Sequence, residues 1–256
     1  MEVHHHAHTA ADPDSHRGRK KWAHYFWEFL MLFLAVTLGF FVENQREHYI
    51  EHQREKQFIK SLFNDIKSDT ANIAKIITAR TTKERILDSL SFMMNSPHPG
   101  DFINQVYPYA VIIGRTLPYR FVPNDGTMQQ LKNSGGLRLI RNRGVVDSIA
   151  KYDINVRNIL GQYAVEENQI EHYRTAAAKI FDALVFEYMI DENAAVVNQP
   201  PDNSSFQPYT KRELYEWNYR IYGLGGINKA NRRDIRLLLQ QATNLLILLK
   251  KEYHLE

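Results

Sequence analysis

Residues Phe58 to Met94 read FIKSLFNDIKSDTANIAKIITARTTKERILDSLSFMM. Ile59, Leu62, Ile66, Ile73, Ile76, Leu87, Leu90 and Met94 recur at alternating steps of three and four, the spacing of one helix face. Asp69, Arg80 and Lys83 occupy the remaining steps of the same ladder. No proline or glycine interrupts from Phe40 to Ser96, so one helix is expected to run to about residue 94. The polar steps make Thr78–Lys83 the stretch where it would fray.

A second ladder follows Asn142, a good N-cap residue: Val145, Ile149, Tyr152, Val156, Ile159, Tyr163, Ile170, Tyr173, Ala177, Ile180 and Leu184. It predicts a helix over about 142–190, weakest at Gly161. Between the ladders, Ser96–Gly100 reads as a turn. Asp101 can cap a helix carrying Phe102, Ile103, Val106, Ala110, Ile113 and Leu117 on one face, with Pro108 bending it. Pro118, Pro123 and Asn124-Asp125-Gly126 then break the chain. A short helix is expected over 127–133, stopped by Gly135-Gly136. Residues 191–209 read as a loop around Pro200-Pro201. Leu214, Trp217 and Ile221 mark a shorter helix that Gly223, Gly225 and Gly226 should end. The last helix, about 229–254, places Ile235, Leu238, Ala242, Leu245, Leu249 and Tyr253 inward. The expected fold is all-α, an elongated antiparallel helical bundle, with Val145–Leu184 running antiparallel to Ile59–Met94.

Upstream, Trp22 to Val42 read WAHYFWEFLMLFLAVTLGFFV. Phe29 to Val42 carry no charge, and the whole segment is long enough for a bilayer core of about 30 Å. Trp22, Tyr25, Phe26 and Trp27 crowd one end, as an interfacial aromatic belt would. A buried core helix and a cleaved signal peptide are the alternatives. No small-residue cleavage site follows, and the run leads directly into Glu43-Asn-Gln-Arg-Glu. The expected division is a tail over 1–21, a transmembrane helix over 22–42 that continues into a long helix over about 43–94, and a helical domain over 43–256. Arg17, Arg19, Lys20 and Lys21 precede the span, whereas Arg46 stands among Glu43, Glu47 and Glu51 after it. Positive-inside reasoning puts the N-terminus in the cytoplasm and the C-terminal domain on the far side of the membrane.

Composition narrows the chemistry. The 256 residues are 44% hydrophobic and 24% charged, an ordinary globular balance. Thirty-two basic and 29 acidic residues leave a formal charge of +3, too mild to argue for nucleic acid. The absence of cysteine excludes disulfides, thiolate catalysis and zinc–cysteine sites.

Three groups of residues invite a functional reading. His4, His5, His6 and His8 can bind a divalent metal, although a polar tail gives imidazoles little support and any affinity would be weak; a solvated tail near anionic lipid is the competing reading. Lys132, Arg138, Arg141 and Arg143 surround the glycine pair, where a backbone nest and guanidiniums can hold an anion or an acidic partner. A helix cap followed by solvated charges explains the same residues. Glu28 is the sole acidic residue within the span, and His24 lies four residues earlier on the same face. No catalytic constellation, cofactor motif or small-molecule substrate emerges, and acidic pairs such as Glu166-Glu167 are expected on solvated faces.

Several of these segments carry a resemblance. Met1-Glu-Val-His-His-His, Tyr25-Phe-Trp-Glu-Phe-Leu-Met-Leu-Phe-Leu-Ala-Val, Arg54-Glu-Lys-Gln-Phe-Ile-Lys-Ser-Leu and Gln130-Leu-Lys-Asn-Ser-Gly-Gly-Leu-Arg-Leu-Ile-Arg-Asn together resemble a family of uncharacterised single-pass inner-membrane proteins common in Bacteroidota. The resemblance implies that the histidines are native sequence and that the span is an inner-membrane anchor. It implies no activity. The functional expectation is a membrane-anchored helical interaction or scaffold module, partnered by the bilayer and by another protein or a second copy. The alternatives are a subunit of a membrane energy-coupling or ion-conducting assembly using Glu28, and an enzyme with an unrecognised site.

Overall fold

The structure is a computed structural model. It describes residues 17–115, 119–193 and 195–255, with the side chains described from residue 22 onward. Six helices follow in order: α1 (Arg17–Met94), α2 (Ile103–Ile113), α3 (Gly126–Asn133), α4 (Arg143–Ala177), α5 (Ala183–Met189) and α6 (Lys211–Tyr253). Among the described residues the only β pairing is an isolated bridge between Ile190 and Val196, so the fold is all-α.

The chain forms two compact units, residues 1–54 and 55–256, and α1 contributes to both. In the first unit, Trp22–Val42 are exposed apart from half-buried Leu30. This part of α1 is long and apolar enough to cross a membrane, with a mean hydropathy of 1.9 over its best window. None of that window is buried against protein.

The second unit is built on the ladders. Ile59, Leu62, Ile66 and Ile73 pack with Val145, Ile149, Val156 and Ile159 of α4 and Ile235, Leu238, Leu245 and Leu249 of α6. A second core joins Leu87, Leu90 and Met94 to Tyr107, Ile113, Ile170, Phe181, Trp217 and Leu224. Each fully buried aliphatic or aromatic side chain contributes about 1.5–3 kcal/mol, so these seams dominate the stability.

Polar contacts across the seams set the directions. Along α1 and α6, Glu55 meets Tyr253, Arg80 meets Asn228 and Asn95 meets Asn218, so this pair is antiparallel. Along α1 and α4, the Asp69 carboxylate accepts from Tyr152 and Glu166 accepts from Arg80. Rising numbers on α1 thus meet rising numbers on α4, and the two helices are parallel, not antiparallel. The connection explains the reversal. Asn124 donates to Asp69, Lys132 pairs with Asp153 of α4, and the Arg141 amide donates to Glu55. The chain therefore runs back along the seam before α4 begins, and α4 starts where the ladder of α1 starts.

Three further expectations are corrected. The helix over 142–190 is two helices, because Ala178–Asp182 turn and the Asp182 carboxylate caps α5 through the Leu184 amide at 2.9 Å. Leu184 is consequently exposed, while Phe181 turns into an aromatic cluster with Tyr107 and Phe206. The expected break at Gly223–Gly226 does not occur; α6 is continuous from a capping box formed by Thr210 and Glu213 to a left-handed cap at His254. Asp101 sits inside a one-turn 3-10 segment, Pro99–Phe102, and its side chain does not cap α2. Asn142 caps α4 as expected, accepting from the Gly144 and Val145 amides. Gly135 stops α3 with φ of 70°. Leu117 lies outside the described residues.

Candidate functional site

The steps that interrupt the α1 ladder are the most distinctive feature of the domain. Arg80 and Lys83 are fully buried, and α1 passes through Thr78–Lys83 without a break. They meet Glu166, which is 4% exposed although an acidic pair was expected to face solvent. Its neighbour Glu167 does stay exposed, pairing with Arg120 at 2.7 Å.

Each helix delivers its part from the same ladder that builds the core. Glu166 lies three residues after Tyr163 and four before Ile170 on α4. Asn228 and Asn231 fall between Leu224 and Ile235 on α6, also at steps of four and three. Continuing the ladder through the glycines, Trp217, Ile221, Leu224, Asn228, Asn231, Ile235, finds both asparagines by sequence; reading the glycines as a stop hides them.

The geometry is nearly closed, although Arg80 Nε is buried with no hydrogen-bond partner among the described residues. Arg80 donates through Nη2 to one Glu166 oxygen at 2.8 Å and through Nη1 to the other at 3.1 Å. Lys83 Nζ reaches Glu166 at 3.2 Å, and Asn231 Nδ2 donates to it at 2.9 Å. Asn228 accepts from Arg80 Nη1 at 3.2 Å and donates to the Arg80 backbone carbonyl at 2.9 Å. The face of Tyr119 lies 4.5 Å from Lys83 Nζ. Arg80 and Arg120 both stand over Tyr163, whose hydroxyl accepts from the Phe121 amide at 2.7 Å.

Two cations share one carboxylate here. Burial works to raise the Glu166 pKa, but the Arg80 hydrogen bonds and the charges of Lys83 and Arg80 outweigh it and hold the carboxyl below its ordinary value. Lys83 is pushed down, chiefly by burial, with Glu166 opposing. A carboxylate with four donors has its lone pairs filled, so the cluster acts as a clamp across three helices and leaves no acceptor for a substrate.

A second polar step repeats the device. Asp69 accepts from the Tyr152 hydroxyl at 2.8 Å and from the Asn124 amide at 2.9 Å. Burial raises its pKa against these hydrogen bonds.

The other candidates are scattered. Lys132 pairs with Asp153 at 3.2 Å, and Arg141 Nε lies 4.0 Å from buried Glu55. Arg138 is exposed and packs its guanidinium over Gly135, where an added Cβ would meet it at 2.9 Å. Arg143 is exposed at the start of α4. These four side chains do not converge on one point. In the first unit, His24 Nε2 lies 3.2 Å from Glu28 with both side chains exposed. His4, His5, His6 and His8 lie outside the described residues.

Comparisons with protein-family models, curated proteins and solved structures find no match.

Proposed function

We propose that this chain is a membrane-anchored helical interaction or scaffold module. The observation that carries the reading is the run Trp22–Val42: its large apolar side chains, such as Phe40 at 75% exposure, find no cover among the described residues. A run of that length exposed to water is unfavourable by tens of kcal/mol on an area basis, whereas lipid accommodates it. The basic residues Arg17, Arg19, Lys20 and Lys21 favour a cytoplasmic N-terminus, an inner-membrane span and a periplasmic C-terminal domain. The resemblance to single-pass inner-membrane proteins of Bacteroidota supports the same assignment.

An interaction role is supported by a clamp that spends its charges internally and by Tyr215, Tyr219 and Tyr222 of α6, all exposed. Exposed tyrosine is a residue type that protein interfaces favour. The ion-conducting alternative rests on Glu28 alone, and Glu28 already has a local partner in His24.

Alkaline carbonate extraction of native membranes tests the anchor. The full chain is expected to stay in the membrane pellet, and a variant lacking residues 22–42 to leave it. Release of the intact chain overturns the reading. A periplasm-dependent reporter fused after Glu256 is expected to be active, and a cytoplasm-dependent reporter active there reverses the topology.

A further inference from the structure

A pocket of about 430 Å³ opens where α2 meets the α4–α5 turn. Its walls are apolar: Ala110 and Val111 from α2, Tyr173 and Ala177 from α4, Phe181 and Phe186 beyond. The volume falls in the ordinary range for small-molecule sites, and the wall composition matches them. Polar groups at its edge are mostly committed. The Tyr173 hydroxyl donates to the Ala110 carbonyl at 3.1 Å. Arg174 donates to the Gly114 carbonyl through Nε at 3.1 Å and Nη2 at 2.6 Å, and pairs with Glu171. Arg115 is the exception. Arg115 lines the pocket, and its Nη2 is buried and has no hydrogen-bond partner among the described residues.

A buried cationic nitrogen without an acceptor is costly, and the cost is recovered when an anionic oxygen arrives. Guanidinium binds carboxylate well, because its planar fork matches the two oxygens. We propose that this pocket binds a small monocarboxylate with an apolar body, its carboxylate on Arg115 and its body against Tyr173, Phe181 and Phe186. The inference does not rest on the partner-binding reading, because it concerns a different surface and a different class of ligand.

Calorimetric titration of octanoate into the full chain in phosphatidylcholine nanodiscs tests it, with empty nanodiscs as the blank. One saturable equivalent is expected. Arg115→Gln should weaken octanoate roughly tenfold to a hundredfold, the range for a lost charged hydrogen bond, and leave 1-octanol unchanged. Ala183→Trp, at an exposed position on the pocket rim, should remove both ligands while helicity by circular dichroism stays intact. Octanoate binding no tighter than 1-octanol, or octanoate binding untouched by both substitutions, overturns the proposal. Absence of saturable octanoate heat above the blank does the same. Replacing the phosphatidylcholine with phosphatidylglycerol separates the sources. Competition from the anionic lipid would make a bilayer-derived acyl chain the occupant in place of a free acid, which also overturns the proposal as stated.

Discussion

Arg80 of α1 grips Glu166 of α4 with two parallel hydrogen bonds, at 2.8 and 3.1 Å, in a layer between the two apolar cores. The pair joins residues far apart in sequence on parallel helices, and Asn228 and Asn231 tie both to α6. Such a buried fork adds little net stability over an apolar layer, because desolvating the charges costs about what their attraction returns. Its effect is on register. Sliding one helix by a ladder step would bury Arg80 or Glu166 against leucine or isoleucine.

The first prediction follows from that asymmetry. Glu166→Gln keeps the shape and removes the charge, leaving Arg80 and Lys83 uncompensated. It should cost about 3–5 kcal/mol. Replacing Arg80, Lys83 and Glu166 together with methionine, methionine and leucine should restore most of the loss. Urea denaturation of the full chain in detergent, followed by far-ultraviolet circular dichroism, measures both. A triple variant no more stable than Glu166→Gln contradicts the clamp.

Lys83 predicts a pH dependence. Its folded pKa is lowered from the ordinary 10.5, chiefly by burial, so at pH values between the two the unfolded chain holds a proton that the folded chain has released. Stability must then rise with pH across that window. Comparison with Lys83→Met isolates this contribution, since other titrating groups are common to both proteins. The wild-type chain should gain on the variant as pH approaches the ordinary lysine value. A gap that stays flat or closes in the opposite direction refutes the assignment.

Helix α6 passes through Gly225 and Gly226, where an added Cβ meets nothing within 4 Å. Neither position has a positive φ. Alanine there should therefore stabilise, by about 0.5–1 kcal/mol at each site, through the reduced freedom of the unfolded chain. Thermal melting of each variant checks this. A lowered melting temperature would mean that the glycines serve a contact outside the chain.

Chain direction is open to chemical crosslinking. A zero-length carbodiimide reagent should join Lys179 to Glu216, Lys229 to Glu84 and Lys132 to Asp153, which lie 2.9, 3.7 and 3.2 Å apart. The first puts the end of α4 beside the start of α6, as antiparallel packing of that pair requires, and the second fixes where α1 sits along α6. Peptide mapping that instead joined the start of α4 to the end of α1 would contradict this topology.

Self-association through the membrane segment can be read by single cysteines from Phe29 to Val42, because the chain has none of its own. Crosslinks recurring every three to four residues are expected for a specific pair of helices, with Ala35 and Gly39 on the close face. Glu28→Gln should weaken them. A scan without crosslinks in native membranes rejects this route and leaves another protein as the partner.

The sequence by itself determined the helix content, because apolar side chains at steps of three and four dictate one buried face wherever they recur. It also determined the caps at Asn142 and Gly135, which depend on the residues beside them. The long apolar run at Trp22–Val42 was equally plain, since length and hydropathy are properties of the string. What it left undecided was the meaning of the polar steps. Asp69, Arg80, Lys83 and Glu166 look like flaws in a ladder until their partners arrive from other helices, and an electrostatic match across dozens of residues has no local signature. The antiparallel direction expected for α4 against α1 was wrong for the same reason, since a helix face is apolar whichever way its neighbour runs. Packing also overrode propensity at Gly223–Gly226, where Trp217, Leu224 and Ile235 hold α6 together across residues that alone would stop it. At Asp182 the reverse happened, and a side-chain cap together with the burial of Phe181 ended a helix whose ladder continued.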